Sequence, residues 1–112
     1  MVIKYIVLED QRKIYGIIDN TRYDAVNKIN RILGSGNTVF TAYNKKYEMP
    51  NTFKAFCVCD EQDEFSVEKG KELVKKKVLD RYYKSFDKRI DMFKSDIIQL
   101  NSKVFETPPE IQ

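Results

Sequence analysis

The segment Ser66–Val104, SVEKGKELVKKKVLDRYYKSFDKRIDMFKSDIIQLNSKV, decides the architecture of this chain. It contains no proline and one glycine, Gly70, so its composition is helical throughout. Within it, Leu79, Tyr83, Phe86, Ile90, Phe93, Ile97, Leu100 and Val104 follow one another at alternating intervals of four and three. That spacing is the seam of a helix that packs against another helix. A straight helix over 79–104 is about 39 Å long at ~1.5 Å per residue. A body built from the first seventy residues has a diameter nearer about 25 Å. Part of the stripe should therefore outrun the body. We expect a second chain to cover it, giving a dimer with Tyr83, Phe86, Ile90, Phe93, Ile97 and Leu100 in the interface. Two alternatives stay open: a break near Ser85–Lys88 that folds the helix back as a hairpin, or a stripe packed wholly on the chain's own sheet.

The flanks of this segment are polar or breaking. Downstream, ETPPEIQ at 106–112 stops the helix, and 107–112 is expected to be a flexible tail. Upstream lies an acidic run, Asp60, Glu61, Asp63 and Glu64. Carboxylates there complement the positive end of the helix dipole, and Ser66 or Asp63 can cap the first turn. The same oxygens can also form a divalent-metal site, but nothing else in the chain asks for one. We expect no metal.

Earlier segments read as strands and one short helix. Residues 2–8 (VIKYIVL) and 14–18 (IYGII) are β-branched and aromatic around a polar link, which predicts a hairpin. Asn20 or Thr21 can cap a following helix, with Asp24 three residues after Thr21 and an apolar face of Ala25, Ile29, Ile32 and Leu33. Gly34 and Gly36 end it. Residues 37–43 (NTVFTAY) and 52–59 (TFKAFCVC) read as a second pair of strands, linked through Pro50. The predicted fold is α+β: a four-stranded antiparallel sheet of two hairpins, one short helix, and a long C-terminal helix over about 66–104. Residues 1–106 form a single domain.

Composition narrows the function classes. Of 112 residues, 42% are hydrophobic and 12% aromatic, which is globular rather than disordered. No apolar stretch reaches the roughly 20 residues of a membrane span. The N-terminus MVIKYIVLEDQRK lacks a basic leader and a cleavage site, so a soluble cytoplasmic protein is expected. There is no histidine, and no nucleophile-elbow, phosphate-loop or dinucleotide motif. We therefore expect a non-enzymatic protein without catalytic residues or cofactors. Cys57 and Cys59 sit two apart on a strand and read as small buried hydrophobes.

Charge is uneven although the net is only +3. Residues 69–89 carry nine bases against three acids. Lys69, Lys75, Lys76, Lys77, Arg81 and Lys84 form a candidate surface for phosphates, with tyrosines nearby to stack on bases. Lysines on an outer helix face also serve simply as a solvated surface. For an anionic small ligand, the cations near the helix start or the 44–51 loop would bind it, with Tyr43 or Tyr47 stacking on a base.

One stretch resembles a known group. Thr38, Val39 and Phe40, then Cys59, Asp63, Phe65, Glu68, Lys69 and Gly70, follow a strand–turn–strand, acidic-loop, Glu-Lys-Gly-helix pattern. The pattern is similar to that of small proteins encoded by phages and prophages of low-GC Gram-positive bacteria. The match covers about residues 37 to 78. The turn NKKYEMPNT is longer here, and the heptad-bearing helix lies outside the pattern. The resemblance implies a phage accessory protein acting in the host cytoplasm. Its expected role is counter-defence by binding: inhibition of a host effector such as a CRISPR nuclease, or sequestration of a signalling nucleotide. The alternatives are a nucleic-acid-binding regulatory protein using the basic helix 69–89, and a self-associating scaffold.

Overall fold

The computed structural model describes residues 2–33 and 45–106. Strand β1 (Ile3–Leu8) runs into a short 3-10 turn, Glu9–Gln11, and returns as β2 (Lys13–Asp19). Arg12 makes the reversal by adopting a left-handed φ of 52° while its N–H donates to the Glu9 carbonyl at 3.0 Å. Helix α1 (Thr21–Leu33), a 3-10 turn at Lys45–Tyr47, strand β3 (Thr52–Val58) and helix α2 (Val67–Glu106) follow. Among the described residues no helix is long and apolar enough to cross a membrane.

The sheet corrects the expected topology. Among the described residues it has three antiparallel strands in the order β1-β2-β3, not four in two hairpins. The strand expected at 37–43 lies outside the described residues. β3 pairs with β2 along its whole length, from Lys13↔Val58 to Asp19↔Thr52. β2 offers a second open ladder beside its hairpin partner, and β3 takes it, so the first hairpin and β3 form one sheet. As the central strand it is also the most covered: Ile14, Gly16 and Ile18 are all buried.

Strand alternation sorts the sheet into two faces. Ile3, Tyr5, Val7, Ile14, Gly16, Ile18, Phe53, Ala55 and Cys57 share the inner face by register, and α2 lies across it. Two glycines set how closely. A Cβ on Gly16 would stand 2.3 Å from Val74 Cγ1, and one on Gly70 would stand 2.3 Å from Ile14 Cδ1. Gly70 thus admits the helix to the sheet, and Ser66 Oγ caps that helix by accepting from the Lys69 N–H at 3.4 Å.

α2 is one unbroken helix of forty residues, about 60 Å long at ~1.5 Å per residue; it does not fold back near Ser85–Lys88. Its buried ridge is Gly70, Val74, Val78 and Tyr82, every fourth residue. Tyr82 ends the ridge in the core with Ala25, Ile29, Tyr47 and Met49. Its ring meets Phe53 edge-on at 5.7 Å, and its hydroxyl donates to Asp24 at 2.5 Å.

The expected cap of α1 also changes. Thr21 is fully buried; its Oγ1 donates to the Pro50 carbonyl at 2.5 Å and its N–H to the Asn51 carbonyl at 3.2 Å. Asn20, in the left-handed region at φ 61°, accepts the Asp24 N–H at 3.0 Å through its backbone carbonyl. Thr21 is therefore a tether to the segment before β3, and Asp24 serves Tyr82 instead of a capping box.

Candidate binding surfaces

The cations singled out in α2 do not form one patch. Lys77 and Arg81 lie on the β3 side, where Lys77 Nζ donates to the Phe56 carbonyl at 3.2 Å and Arg81 to the Lys54 carbonyl at 2.6 Å. Lys84 is one turn on and pairs with Asp80 at 2.9 Å. Lys71 sits on the opposite flank, its ammonium 5.3 Å from the Tyr5 ring centroid. Lys75 and Lys76 are exposed. Lys69 lines a crevice of about 480 Å³ with Cys57, Cys59, Asp63, Phe65 and Leu73. Arg12 closes that region from the hairpin: it donates to the Asp60 carbonyl at 3.0 Å and to the Asp63 carbonyl, and lies 5.9 Å from the Phe65 ring centroid. Among the described residues, no three acidic, cysteine or histidine side chains are grouped to hold a metal ion.

The tyrosines of the 43–47 region divide. Tyr43 lies outside the described residues. Tyr47 is buried, with its ring edge-on to Phe93 at 5.6 Å and its hydroxyl donating to Asp96. Lys46 joins the same carboxylate at 2.7 Å. The hydrogen bonds from Lys46 and Tyr47 hold the Asp96 carboxyl below its usual range, and the same partner raises Lys46 and Tyr47. Arg89 braces the segment again by donating to the Glu48 carbonyl at 3.2 Å.

The seam residues fall into two sets. Leu79 packs beside Ile18, Ala55 and Val78, and Phe86, Ile90 and Phe93 pack against the Tyr82 cluster. Tyr83 is 49% exposed and stacks edgewise on Tyr82 at 5.2 Å. Beyond Asp96 the stripe leaves the body: Ile97, Leu100 and Val104 are 47%, 59% and 58% exposed. Ile98 beside them is exposed as well.

A further surface was not singled out from sequence. The outer face of the sheet carries three cross-strand rows: Lys4–Ile17–Lys54, Ile6–Tyr15–Phe56 and Leu8–Lys13–Val58. Ile6, Phe56 and Val58 are exposed. Tyr15 and Phe56 lie side by side, with centroids 5.6 Å apart and planes tilted by 39°. Lys13 Nζ is 5.8 Å from the Phe56 centroid. The signal was present in IKYIVL, KIYGIID and TFKAFCV, whose outward positions include Ile6, Leu8, Tyr15, Ile17, Phe56 and Val58 among the charged ones.

Compared with protein-family models, curated proteins and solved structures, the chain matches none.

Proposed function

We propose that the protein is a non-catalytic binding protein that works as a pair of chains, joined helix to helix along the distal part of α2. The exposed continuation of the seam through Ile97, Leu100 and Val104 supports this reading. Those residues keep the three-and-four spacing set by Ile90 and Phe93, and that spacing holds a stripe on one side of a helix. A second copy brings the same spacing to the contact, so knobs from one chain find holes in the other without any new sequence feature. Burial on pairing removes large aliphatic side chains from water, at about 25 cal/mol per Å² of apolar surface.

In the mobile-element setting that the resemblance implies, such a pair acts by occupancy: it covers a host effector or holds a nucleotide rather than transforming it. The test is light scattering coupled to size exclusion over a wide concentration range, on the full chain and on Leu100→Asp. A dimer that becomes a folded monomer in the variant supports the reading. A monomer at every concentration, or a dimer untouched by Leu100→Asp, overturns it.

A further inference from the structure

The sheet offers its outer face to solvent while both described helices lie on the inner one. α1 and α2 meet in the cluster built around Tyr82, and Phe53 joins that cluster from the inner face of β3. What remains outside is an aromatic pair between two rows that bear cations: Tyr15 and Phe56 in the centre, Lys4 and Lys54 on one side, Lys13 on the other. The acid in those outward positions is Asp19, which lies 3.8 Å from Lys4. Among the described residues, neither Lys13 nor Lys54 has an ion-pair partner.

Among the described residues β3 is an edge strand. Its outward carbonyls at Lys54 and Phe56 already accept from Arg81 and Lys77. An extended peptide adding as a fourth strand needs those carbonyls, so strand addition is disfavoured there. The same cations keep unused donors, because a guanidinium has five N–H groups and an ammonium three. Beside Phe56 and Val58 they bound a shallow groove with Asp80. A second copy of the sheet face fits poorly, since it would bring Lys4, Lys13 and Lys54 of two chains together with Asp19 as the acid in those positions.

We propose that this outer face, with the β3 edge, binds single-stranded nucleic acid, Tyr15 and Phe56 stacking on successive bases and Lys13, Lys54, Lys77 and Arg81 contacting the phosphates. Aromatic side chains on an open antiparallel sheet accept any base, because every base has a π-face. Duplex has its bases stacked already and cannot use the rings. Recognition is therefore for unpaired strands with little sequence preference. The site is independent of chain pairing, since it uses none of the α2 seam residues.

The probe is a short fluorescein-labelled oligo-dT, read by anisotropy with the full-length protein at low salt and then through a salt series. The wild type should bind it and bind the matching duplex more weakly. Log affinity should fall with log salt by about 0.7 for each phosphate neutralised. Phe56→Leu keeps an apolar side chain on the face but removes the ring, and with Tyr15→Leu it should weaken binding by roughly tenfold or more, as loss of base stacking does. Lys13→Gln should flatten the salt slope. Circular dichroism and the melting temperature show whether each variant is folded; Phe56 is exposed, and Tyr15 and Lys13 are half-buried. Absence of binding by the folded wild type overturns the proposal. So does duplex bound as tightly as single strand, binding untouched by the double leucine variant, or binding lost only with Lys75→Glu and Lys76→Glu on the helix.

Discussion

From Val67 to Phe93, α2 lies against the sheet and α1, whereas from Ile97 to Val104 every side chain it carries is exposed. Both stretches use Val, Leu and Ile, so residue type does not decide the difference. Reach does: Phe86, Ile90 and Phe93 share the alternating spacing of Ile97, Leu100 and Val104, but only the first three lie over the body. The buried ridge at 70, 74, 78 and 82 repeats every four, a row that winds slowly round the helix and suits a twisted sheet. The stripe from 79 to 104 alternates four and three, a row that stays on one side, and beyond Asp96 it is free to meet another helix. One helix thus carries two rows: the ridge is covered throughout, and among the described residues the stripe is covered only as far as Phe93.

The largest test of this contrast is Tyr82→Ala. It removes a fully buried ring from the end of the ridge and should cost about 4 kcal/mol of unfolding free energy in a urea titration. If it costs no more than Leu100→Ala, the two halves are not different in kind. Tyr82→Phe keeps the ring and deletes the hydroxyl bonded to Asp24, which should cost about 1.5 kcal/mol.

That variant also has a pH signature. Burial, then the hydrogen bond to Asp24, raises the Tyr82 hydroxyl far above its usual value of 10.0. The stabilisation is complete below that value and is lost as pH rises past it. In Asp24, burial opposes ionisation, but the hydrogen bonds from Tyr82 and Lys28 win and hold the carboxyl below 3.8. Its contribution is present above that value and is lost as pH falls through the lowered one. Stability measured against pH should therefore drop at both extremes, and Tyr82→Phe should shrink the alkaline drop, leaving the part that Lys46 and Tyr47 contribute.

A smaller effect is expected at Gly70. Gly70→Ala places a Cβ against the buried Ile14, an overpacking cost of about 2 kcal/mol offset by ~1 kcal/mol of helix propensity. The net loss should be about 1 kcal/mol by the same titration. The smallest effect is that of Leu100→Asp on the dissociated chain, within about 0.5 kcal/mol as for other exposed sites. A larger loss there would mean that the distal helix is packed after all.

Much of the fold was legible from local signals. The hairpin, α1 and the long helix rest on alternation, on apolar periodicity and on an uninterrupted helical stretch. The partner of β3 was not legible, because a strand's sequence records which faces are covered and not which neighbour forms the ladder. Tyr82 and Tyr83 illustrate a second limit. The heptad pattern selects Tyr83, yet the sheet takes Tyr82, since the ridge from Gly70 was present at intervals of four and was overlooked beside the longer stripe. Phe56 and Tyr15 were missed for a related reason: an apolar residue in a strand is read as core until the covering layer is known to lie on the other side.

The glycine contacts at positions 16 and 70 fix more than a distance. By seating α2 at one place on the sheet, they also aim it. From Gly70 to the end of α2 the helix extends about 54 Å at ~1.5 Å per residue, so a tilt of roughly 10° at the sheet would swing its far end by about 9 Å. A methyl group added near the pivot would therefore be felt at the tip as a change of direction, and the direction of the exposed stripe is set by two residues that have no side chain.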